Sequence, residues 1–149
     1  YSQLENDMYE TILMPLDLNE TSSWEKSLPA AGDMCRISGG TLHVMTVLSV
    51  SGMNLVGQYF PEGAEDAAKA AALEEMRKLT SEIVPKKVAL DHSVAEGSGH
   101  EQILATAERI GADPIVMAAQ RAGLADFLLG DNAYRVVRRY PHSVMVVRP

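Results

Sequence analysis

The sequence predicts an α/β fold: a single domain with an open, five-stranded, mainly parallel sheet and helices on both faces. Strand and helix patterns alternate along the whole chain, which is typical of a parallel sheet with right-handed crossovers. The segment 41–50 is almost continuously apolar, as expected for a strand covered by helices on both sides. The 149 residues, 46% of them hydrophobic, are enough to form one core.

The first strand, the first helix and the second strand each have their own signal. The short apolar run TILMPL predicts a strand over residues 11–16. Ser22 followed by Glu25 is a capping-box pattern, and apolar residues then recur at helical spacing up to Gly39. We therefore expect a helix between these points, followed by the strand over residues 41–50.

The central part of the chain is expected to contain a loop, a long helix, a strand and a second capped helix. Residues 51–59 show no clear period and are interpreted as a loop. A helix rich in Ala and Glu follows over 61–84, and alternating polarity predicts a strand over 87–94. Ser98 followed by Glu101 repeats the capping-box pattern and predicts the start of another helix.

The last part of the chain completes the pattern of five strands and four helices. Gly111 is expected to end the third helix. The elements that follow are a strand over 114–118, a loop over 119–130, a helix over 132–139 and a strand over 143–147.

The charge balance argues against general binding to nucleic acid or to a membrane surface. The 20 acidic and 13 basic residues give a net charge of −7, which disfavours polyanionic partners. The apolar runs are far shorter than the ~20 residues that span a bilayer. The single cysteine, Cys35, cannot form a disulfide within the chain, and no secretory signal is apparent. We therefore expect a cytoplasmic protein.

Two local features of the composition also bear on organisation. Met8 is interpreted as the natural start, with residues 1–7 as added sequence, which leaves 8–149 as one domain. Within it, residues 119–149 carry 5 arginines and 2 acidic residues, whereas residues 1–118 carry 8 basic and 18 acidic ones. The arginines fit either a solvated helix face or a site for an anion.

The expected fold indicates where a ligand would bind. In open parallel sheets, ligands bind beyond the carboxyl ends of the strands, where the strand order reverses. The segments at those ends are 15–20, 46–60, 95–99 and 117–133. Gly130, at the entry to the last helix, would let the backbone approach a phosphate near the helix amides. A glycine is common before a helix, so the spacing alone leaves phosphate binding open.

Six separated motifs then define a resemblance. In chain order they are Ile12–Asp17, Val47, Val94–Gly97, Gly111–Met117, Leu128–Ala133 and Ser143–Arg148. With these motifs in this order, the sequence resembles the universal stress protein family over residues 8–149. The resemblance implies a Rossmann-like, adenine nucleotide alpha hydrolase-like sheet of order 3-2-1-4-5. It also implies ATP binding, known for many members, and a homodimer that pairs the last strands of two copies, Val144, Met145, Val146 and Val147.

The resemblance assigns roles around the nucleotide. It implies that Asp17 lies beside the adenine and ribose and that the backbone of Val47 contacts the adenine. It also implies that Met117 and Ala118 lie beneath the ribose. The turn that begins at Gly130 would cradle the phosphates through main-chain N–H groups. The full set that it implies is Pro15, Leu16, Asp17, Val47, Gly97, Met117, Ala118, Gln120, Arg121, Gly130, Asp131 and Asn132.

The sequence departs from the family pattern in the phosphate loop. Ala118 and Arg121 replace two glycines, the spacer before Gly130 has eight residues rather than nine, and Asp131 replaces a hydroxyl residue. The two replaced glycines and the shorter spacer resemble a short-loop branch of the family that still binds ATP. In that branch an arginine faces the phosphates, which implies the same role for Arg121. The alternative is that Arg121 is an exposed loop residue. The Asp131 carboxylate would repel each phosphate charge by ~1 kcal/mol in water. Helix capping or a bridging Mg²⁺ would make it tolerable.

These observations predict a homodimeric stress-response protein in which ATP is a regulatory ligand read by an unknown protein partner. No general base is apparent beside the expected phosphates, so at most weak hydrolysis is expected. The alternative is a nucleotide-free dimerisation or interaction module with a degenerate phosphate site. A phosphoacceptor receiver domain with Asp17 at a strand end, or a nucleotidyl-transferring enzyme, fits the motifs less well.

Other candidate groups have simpler interpretations. Asp17 could also be an Asx-turn residue that needs no ligand. The four histidines are dispersed, so no metal site is expected, and Cys35 on an apolar helix face is expected to be an inert thiol.

Overall fold

The computed structural model describes residues 9–48, 63–119 and 131–148. Its centre is a parallel sheet of five strands in the order β3-β2-β1-β4-β5. The strands are β1 (Thr11–Pro15), β2 (Thr41–Leu48), β3 (Ala89–Glu96), β4 (Ile115–Ala118) and β5 (Val144–Val147). The order reverses between β1 and β4, because the chain crosses from β3 over to the other side of β1. The predicted fold class and strand order are confirmed.

In the described part of the chain, four helices cover this sheet. They are α1 (Ser27–Ser38), α2 (Ala64–Ile83), α3 (Gly99–Ile110) and α4 (Asp131–Arg139), and a single 3-10 turn at Thr21–Ser23 precedes α1. Among the helices of the described ranges, none is both long and apolar enough to cross a membrane.

Two hydrophobic clusters fill the spaces above and below the sheet. On one face, Leu28 of α1 and Met76 of α2 pack against Ile12 and Val44, all fully buried. On the other face, Ile103 of α3 joins residues of α4, β1 and β4. Successive side chains of a strand point to opposite faces, so each central strand contributes to both clusters. Helices α1 and α2 therefore lie on one side of the sheet, and α3 and α4 on the other.

The helix α1 starts later than the sequence pattern predicted. The capping box at Ser22 was a wrong prediction: the helix begins at Ser27, and the residue before it makes no side-chain cap. The reason lies in Ser23, whose Oγ accepts a hydrogen bond from the N–H of Asp17 at 2.9 Å and lies 2.7 Å from the carbonyl oxygen of Glu20. These bonds hold a separate turn after β1 and delay the helix.

Smaller differences concern β3 and α3. The third strand covers 89–96 rather than 87–94, because its last residues pair with Val47 and Leu48 of β2. Ser98 occupies the cap position of α3 as predicted, but its hydroxyl makes no capping bond and instead lies 3.2 Å from Nδ1 of His100. The predicted loops 51–59 and 119–130 lie outside the described residues, apart from Ala119.

Candidate functional site

A cavity of about 400 Å³ opens at the carboxyl end of the sheet, beside the point where the strand order reverses. Such a position is the general ligand site of open α/β sheets. Its volume lies in the usual range of small-molecule sites, ~300–1,000 Å³. The cavity is lined by Pro15, Leu16, Asp17, Glu20, Ser22, Ser23, Val47, Gly97, Ser98, Gly99, Ile103, Met117, Ala118, Asn132 and Ala133.

The sheet provides an apolar base to this cavity. Pro15, Val47 and Met117 come from the ends of β1, β2 and β4, and Ile103 of α3 lies next to them. The strand ends are held in place by main-chain bonds, such as the one from the N–H of Leu16 to the carbonyl oxygen of Met45 at 2.9 Å. A planar apolar group could therefore lie against a rigid surface.

The loop after β1 forms an acidic wall. Asp17 and Glu20 both line the cavity and are exposed to solvent. Oδ1 of Asp17 accepts a hydrogen bond from the N–H of Asn19 at 2.9 Å, which is the Asx turn that the sequence left open. That turn occupies one carboxylate oxygen and leaves the other able to accept a bond. The Ser23 hydroxyl fixes the main chain of this wall.

The start of α3 forms part of the opposite wall. Gly97 has a φ of 128°, a conformation that favours glycine, and its N–H donates to the carbonyl oxygen of Leu48 at 3.0 Å. The chain then turns into α3 at Ser98 and Gly99, both on the cavity. The first amides of a helix have no partner within it. Since the Ser98 side chain does not cap them, these N–H groups are available at the positive end of the helix dipole.

The start of α4 meets the start of α3 in the same wall. A Cβ placed on Gly99 would lie only 2.7 Å from Nδ2 of Asn132, so the two helix starts are in close contact. Asn132 and Ala133 line the cavity, whereas Asp131 is not among the lining residues. Oδ1 of Asp131 instead lies 3.2 Å from Nε of Arg135, one turn along the helix, and the Asp131 side chain is 76% exposed.

Most predicted site residues that the structure describes are brought together by this cavity. Eight line it: Pro15, Leu16, Asp17, Val47, Gly97, Met117, Ala118 and Asn132. Asp131 lies at the start of α4, with its carboxylate on Arg135. Gln120, Arg121 and Gly130 lie outside the described residues.

Seven lining residues were not among the site residues predicted one by one: Glu20, Ser22, Ser23, Ser98, Gly99, Ile103 and Ala133. Glu20, Ser98, Gly99 and Ala133 lie within the segments expected at the strand ends, whereas Ser22, Ser23 and Ile103 lie outside them. Some had a usable signal. Ser98 and Gly99 directly follow Gly97 and begin a helix at a strand's carboxyl end, where anion sites form. Ser22 and Ser23 had none, because a three-residue 3-10 turn leaves no periodic pattern.

Other titratable groups lie away from the cavity. Burial raises the pKa of the Cys35 thiol to about 11, which keeps it protonated and unreactive. His43 and His92 have lowered pKa values, mainly because burial disfavours the imidazolium. Within the described ranges, no group of three or more His, Cys, Asp or Glu side chains is arranged to hold a metal ion.

The strand order and the cavity at the reversal point define the molecule as a doubly wound α/β domain with a cavity at its carboxyl edge. The model of the Universal stress protein family matches residues 8–148, and the chain belongs to this family. It is 27% identical over 143 residues to Universal stress protein G of Escherichia coli O157:H7, with 95% of this chain and 100% of that protein covered. Universal stress protein MJ0577 of Methanocaldococcus jannaschii is 25% identical, with coverages of 95% and 96%.

Solved structures show the same fold. The structure of the protein MJ0577 superposes with a TM-score of 0.78 at 23% identity, covering 95% of this chain and 97% of that one. A universal stress protein in complex with cAMP superposes with a TM-score of 0.68 at 22% identity, with coverages of 95% and 98%.

Proposed function

We propose that this protein binds an adenine nucleotide, ATP above all, in the cavity at the carboxyl end of the sheet, as a regulatory ligand. The observation that carries the proposal is the meeting of two helix starts, α3 and α4, on one wall of that cavity. Each start directs amide N–H groups and a positive dipole end towards the same space. That arrangement suits the phosphate groups of a nucleotide.

The rest of the cavity suits the nucleoside. Val47 and Met117 offer an apolar surface for a base, next to main-chain groups at the strand ends that can bind its edge. The second carboxylate oxygen of Asp17 can accept a hydrogen bond from a ribose hydroxyl. A chain with a net charge of −7 needs such local donors to hold an anion.

The main objection to phosphate binding is weakened by the position of Asp131. Its carboxylate is exposed and paired with Arg135, and the cavity wall is formed by the two residues that follow it. Water and the guanidinium both reduce its repulsion of a phosphate. The proposal includes Gln120, Arg121 and Gly130 as further nucleotide contacts, with Arg121 donating to the phosphates and a Mg²⁺ bridging them, on the strength of the family resemblance.

A homodimer, a protein partner that reads the nucleotide state and a cytoplasmic location belong to the same proposal. The nucleotide-binding part of the proposal is supported by the family match and by the universal stress protein whose structure was solved with cAMP. The dimer, the partner and the location are proposed from the family resemblance. The nucleotide would act by binding one conformation better than another, which is the requirement for any ligand switch.

The test uses the only tryptophan, Trp24, which packs against the core directly after Ser22 and Ser23 of the cavity wall. Titration with ATP and Mg²⁺ should change its fluorescence saturably, and calorimetry should give the same affinity. Gly99→Val should weaken binding at least about tenfold, because its side chain displaces Asn132 and crowds the phosphate wall. Ala105→Val is the control, since Ala105 is exposed on the same helix and does not line the cavity.

Absence of binding at millimolar ATP with Mg²⁺ would overturn the proposal. The alternative of a nucleotide-free interaction module would then be the better account. Both variants should be checked by thermal unfolding, so that a loss of affinity is not confused with a loss of fold.

A further inference from the structure

The two walls of the cavity come from opposite faces of the sheet and carry opposite electrostatic character. The acidic wall, formed by Asp17 and Glu20, belongs to the connection into α1. The amide wall belongs to the starts of α3 and α4, on the other face. The apolar strand ends separate them. A ligand that bridges this cavity is therefore oriented, with its anionic part against the amides and its hydrogen-bond donors against the carboxylates.

We infer that the acidic wall selects nucleotides whose ribose hydroxyls are free over nucleotides that carry a phosphate ester on the ribose ring, with Glu20 as the specificity-determining residue. This inference rests on the proposed function. A free 2′,3′-diol offers two donors to the carboxylates of the wall. A 3′,5′-cyclic phosphate removes one of those donors and places a negative charge close to the same wall.

Glu20 suits this role because its main chain is fixed while its side chain reaches the cavity. The N–H of Glu20 donates to the carbonyl oxygen of Asp17 at 3.0 Å, and the carbonyl oxygen of Glu20 accepts from the N–H of Ser23 at 3.0 Å. The Ser23 hydroxyl lies 2.7 Å from the same carbonyl oxygen. The main chain of the wall is thus held at a set distance from the strand ends, which keeps the Glu20 carboxylate tethered to this side of the cavity.

Specificity of this kind works mainly through rejection. A hydrogen bond from a hydroxyl to a carboxylate is stronger than one to a neutral oxygen. When the ester replaces the hydroxyl, the carboxylate loses its bond and faces an anion instead. The wall therefore favours 5′-nucleotides, including mono-, di- and triphosphates, over 3′,5′-cyclic AMP.

The experiment compares 5′-AMP with 3′,5′-cyclic AMP, which share the base and the ribose, on wild type and Glu20→Gln. Wild type should bind 5′-AMP more tightly. The variant should bind 5′-AMP about fivefold less tightly, because the charge-assisted bond is lost. It should bind cyclic AMP about threefold more tightly, because the repulsion is lost. The ratio of the two affinities should therefore fall by about fifteenfold.

A general effect of charge predicts a different pattern. Removing any negative charge should help 5′-AMP most, since it carries the larger negative charge, and this pattern is expected from the control Glu25→Gln. Glu25 is exposed, lies five residues further along the chain and does not line the cavity. An exposed Glu-to-Gln change leaves the fold intact, which thermal unfolding verifies.

The outcomes separate this inference from the proposed function. A fall of about fifteenfold in the ratio for Glu20→Gln but not for Glu25→Gln supports the inference. If both nucleotides bind wild type and the Glu20 variant keeps the wild-type ratio, the inference is wrong and nucleotide binding stands. If neither nucleotide binds at millimolar concentration while ATP does, the acidic wall does not recognise the ribose. If no nucleotide binds, both proposals fail together.

Discussion

The position of the Asp131 side chain determines how its negative charge affects phosphate binding. In the sequence, Asp131 occupies the position at which the family pattern has a hydroxyl residue. From that position alone, its carboxylate is expected to face a triphosphate. In the structure, its Oδ1 lies 3.2 Å from Nε of Arg135, four residues further along the helix. Opposite charges at this spacing stabilise a helix by ~0.2–0.5 kcal/mol. A negative charge in the first turn is also favoured by the helix dipole.

Asp131→Ser therefore changes ATP affinity little. The carboxylate is 76% exposed and off the cavity lining, so its repulsion of the phosphates is screened by water and salt. We expect a gain below about threefold in a calorimetric titration. The control is Asp33→Ser on α1, which removes a similar exposed pair with Arg36, at 3.6 Å. A gain of tenfold or more for Asp131→Ser alone would show that the carboxylate does face the phosphates.

Residues at strand ends could be predicted from the sequence, whereas the acidic wall could only be predicted in part. Asp17 and Met117 follow directly from the rule that ligands bind at the carboxyl ends of strands. Glu20 and Ser23 lie in a turn shaped by hydrogen bonds between a hydroxyl and distant main-chain groups. Glu20 falls within the segment 15–20 expected at a strand end, but no periodicity encodes the geometry of the turn, so the part of both residues in the cavity wall became visible only in the folded chain.

Among the secondary-structure elements, β5 lies at an edge of the sheet, and no strand within residues 9–48, 63–119 and 131–148 pairs with its outer side. The carbonyl oxygens of Ser143 and Val147 accept bonds from β4, at 3.0 and 2.9 Å. The N–H and C=O groups of Val144 and Val146 consequently face away from the sheet. Met145, on the same strand, is 41% exposed. An open apolar edge of this kind favours association with another strand.

If two copies pair through β5, Met145→Lys should convert the dimer to a monomer at micromolar concentration. Pairing across a two-fold axis brings the same strand of each copy together, so two lysines would repel each other near the axis. Sedimentation velocity measures the change. The control Ile37→Lys makes the same substitution on α1, at a side chain that is 77% exposed. A wild-type monomer, or a Met145→Lys dimer as tight as wild type, would refute pairing through β5.

The boundaries of strands and helices could be predicted where a single sequence pattern determines them. Strand β2 is apolar along nearly its whole length, and its start at Thr41 was correct. The end of α3 at Gly111 was also correct, because a glycine with a φ of 67° closes the helix. The start of α1 was not, because a capping-box pattern competes there with the turn held by Ser23.

At the scale of the whole molecule, two histidines make polar contacts beside the hydrophobic clusters. His43, only 8% exposed, places Nε2 2.7 Å from Oγ of Ser93, beside the cluster that contains α3. His92 places Nε2 2.8 Å from Oγ1 of Thr80 on α2, on the opposite face. His43 thus joins β2 to β3, and His92 joins β3 to α2. Burial favours the neutral form of each ring, because a buried charge without a partner is costly.

The pH dependence of stability should follow from these two rings. Burial lowers the pKa of both below 6.5, and Asp91, which acts the other way, does not cancel this. The unfolded chain therefore binds more protons than the folded one once the pH falls below about 6.5. The contribution of the two neutral rings to the free energy of unfolding is fully present above that pH. It is lost as the pH falls further, by at most about 1.4 kcal/mol per pH unit for each ring.

Urea unfolding at intervals from pH 7.5 to 5.5 measures this loss in a range where carboxylates remain ionised. His92→Gln keeps a hydrogen-bonding group towards Thr80 but cannot take up a proton, so its free energy of unfolding should fall less steeply with pH than that of wild type. His100→Gln is the control, because His100 lies at the start of α3, outside both clusters. Equal slopes for wild type and His92→Gln would mean that the layer between β3 and α2 accepts a charged ring, contrary to the packing described here.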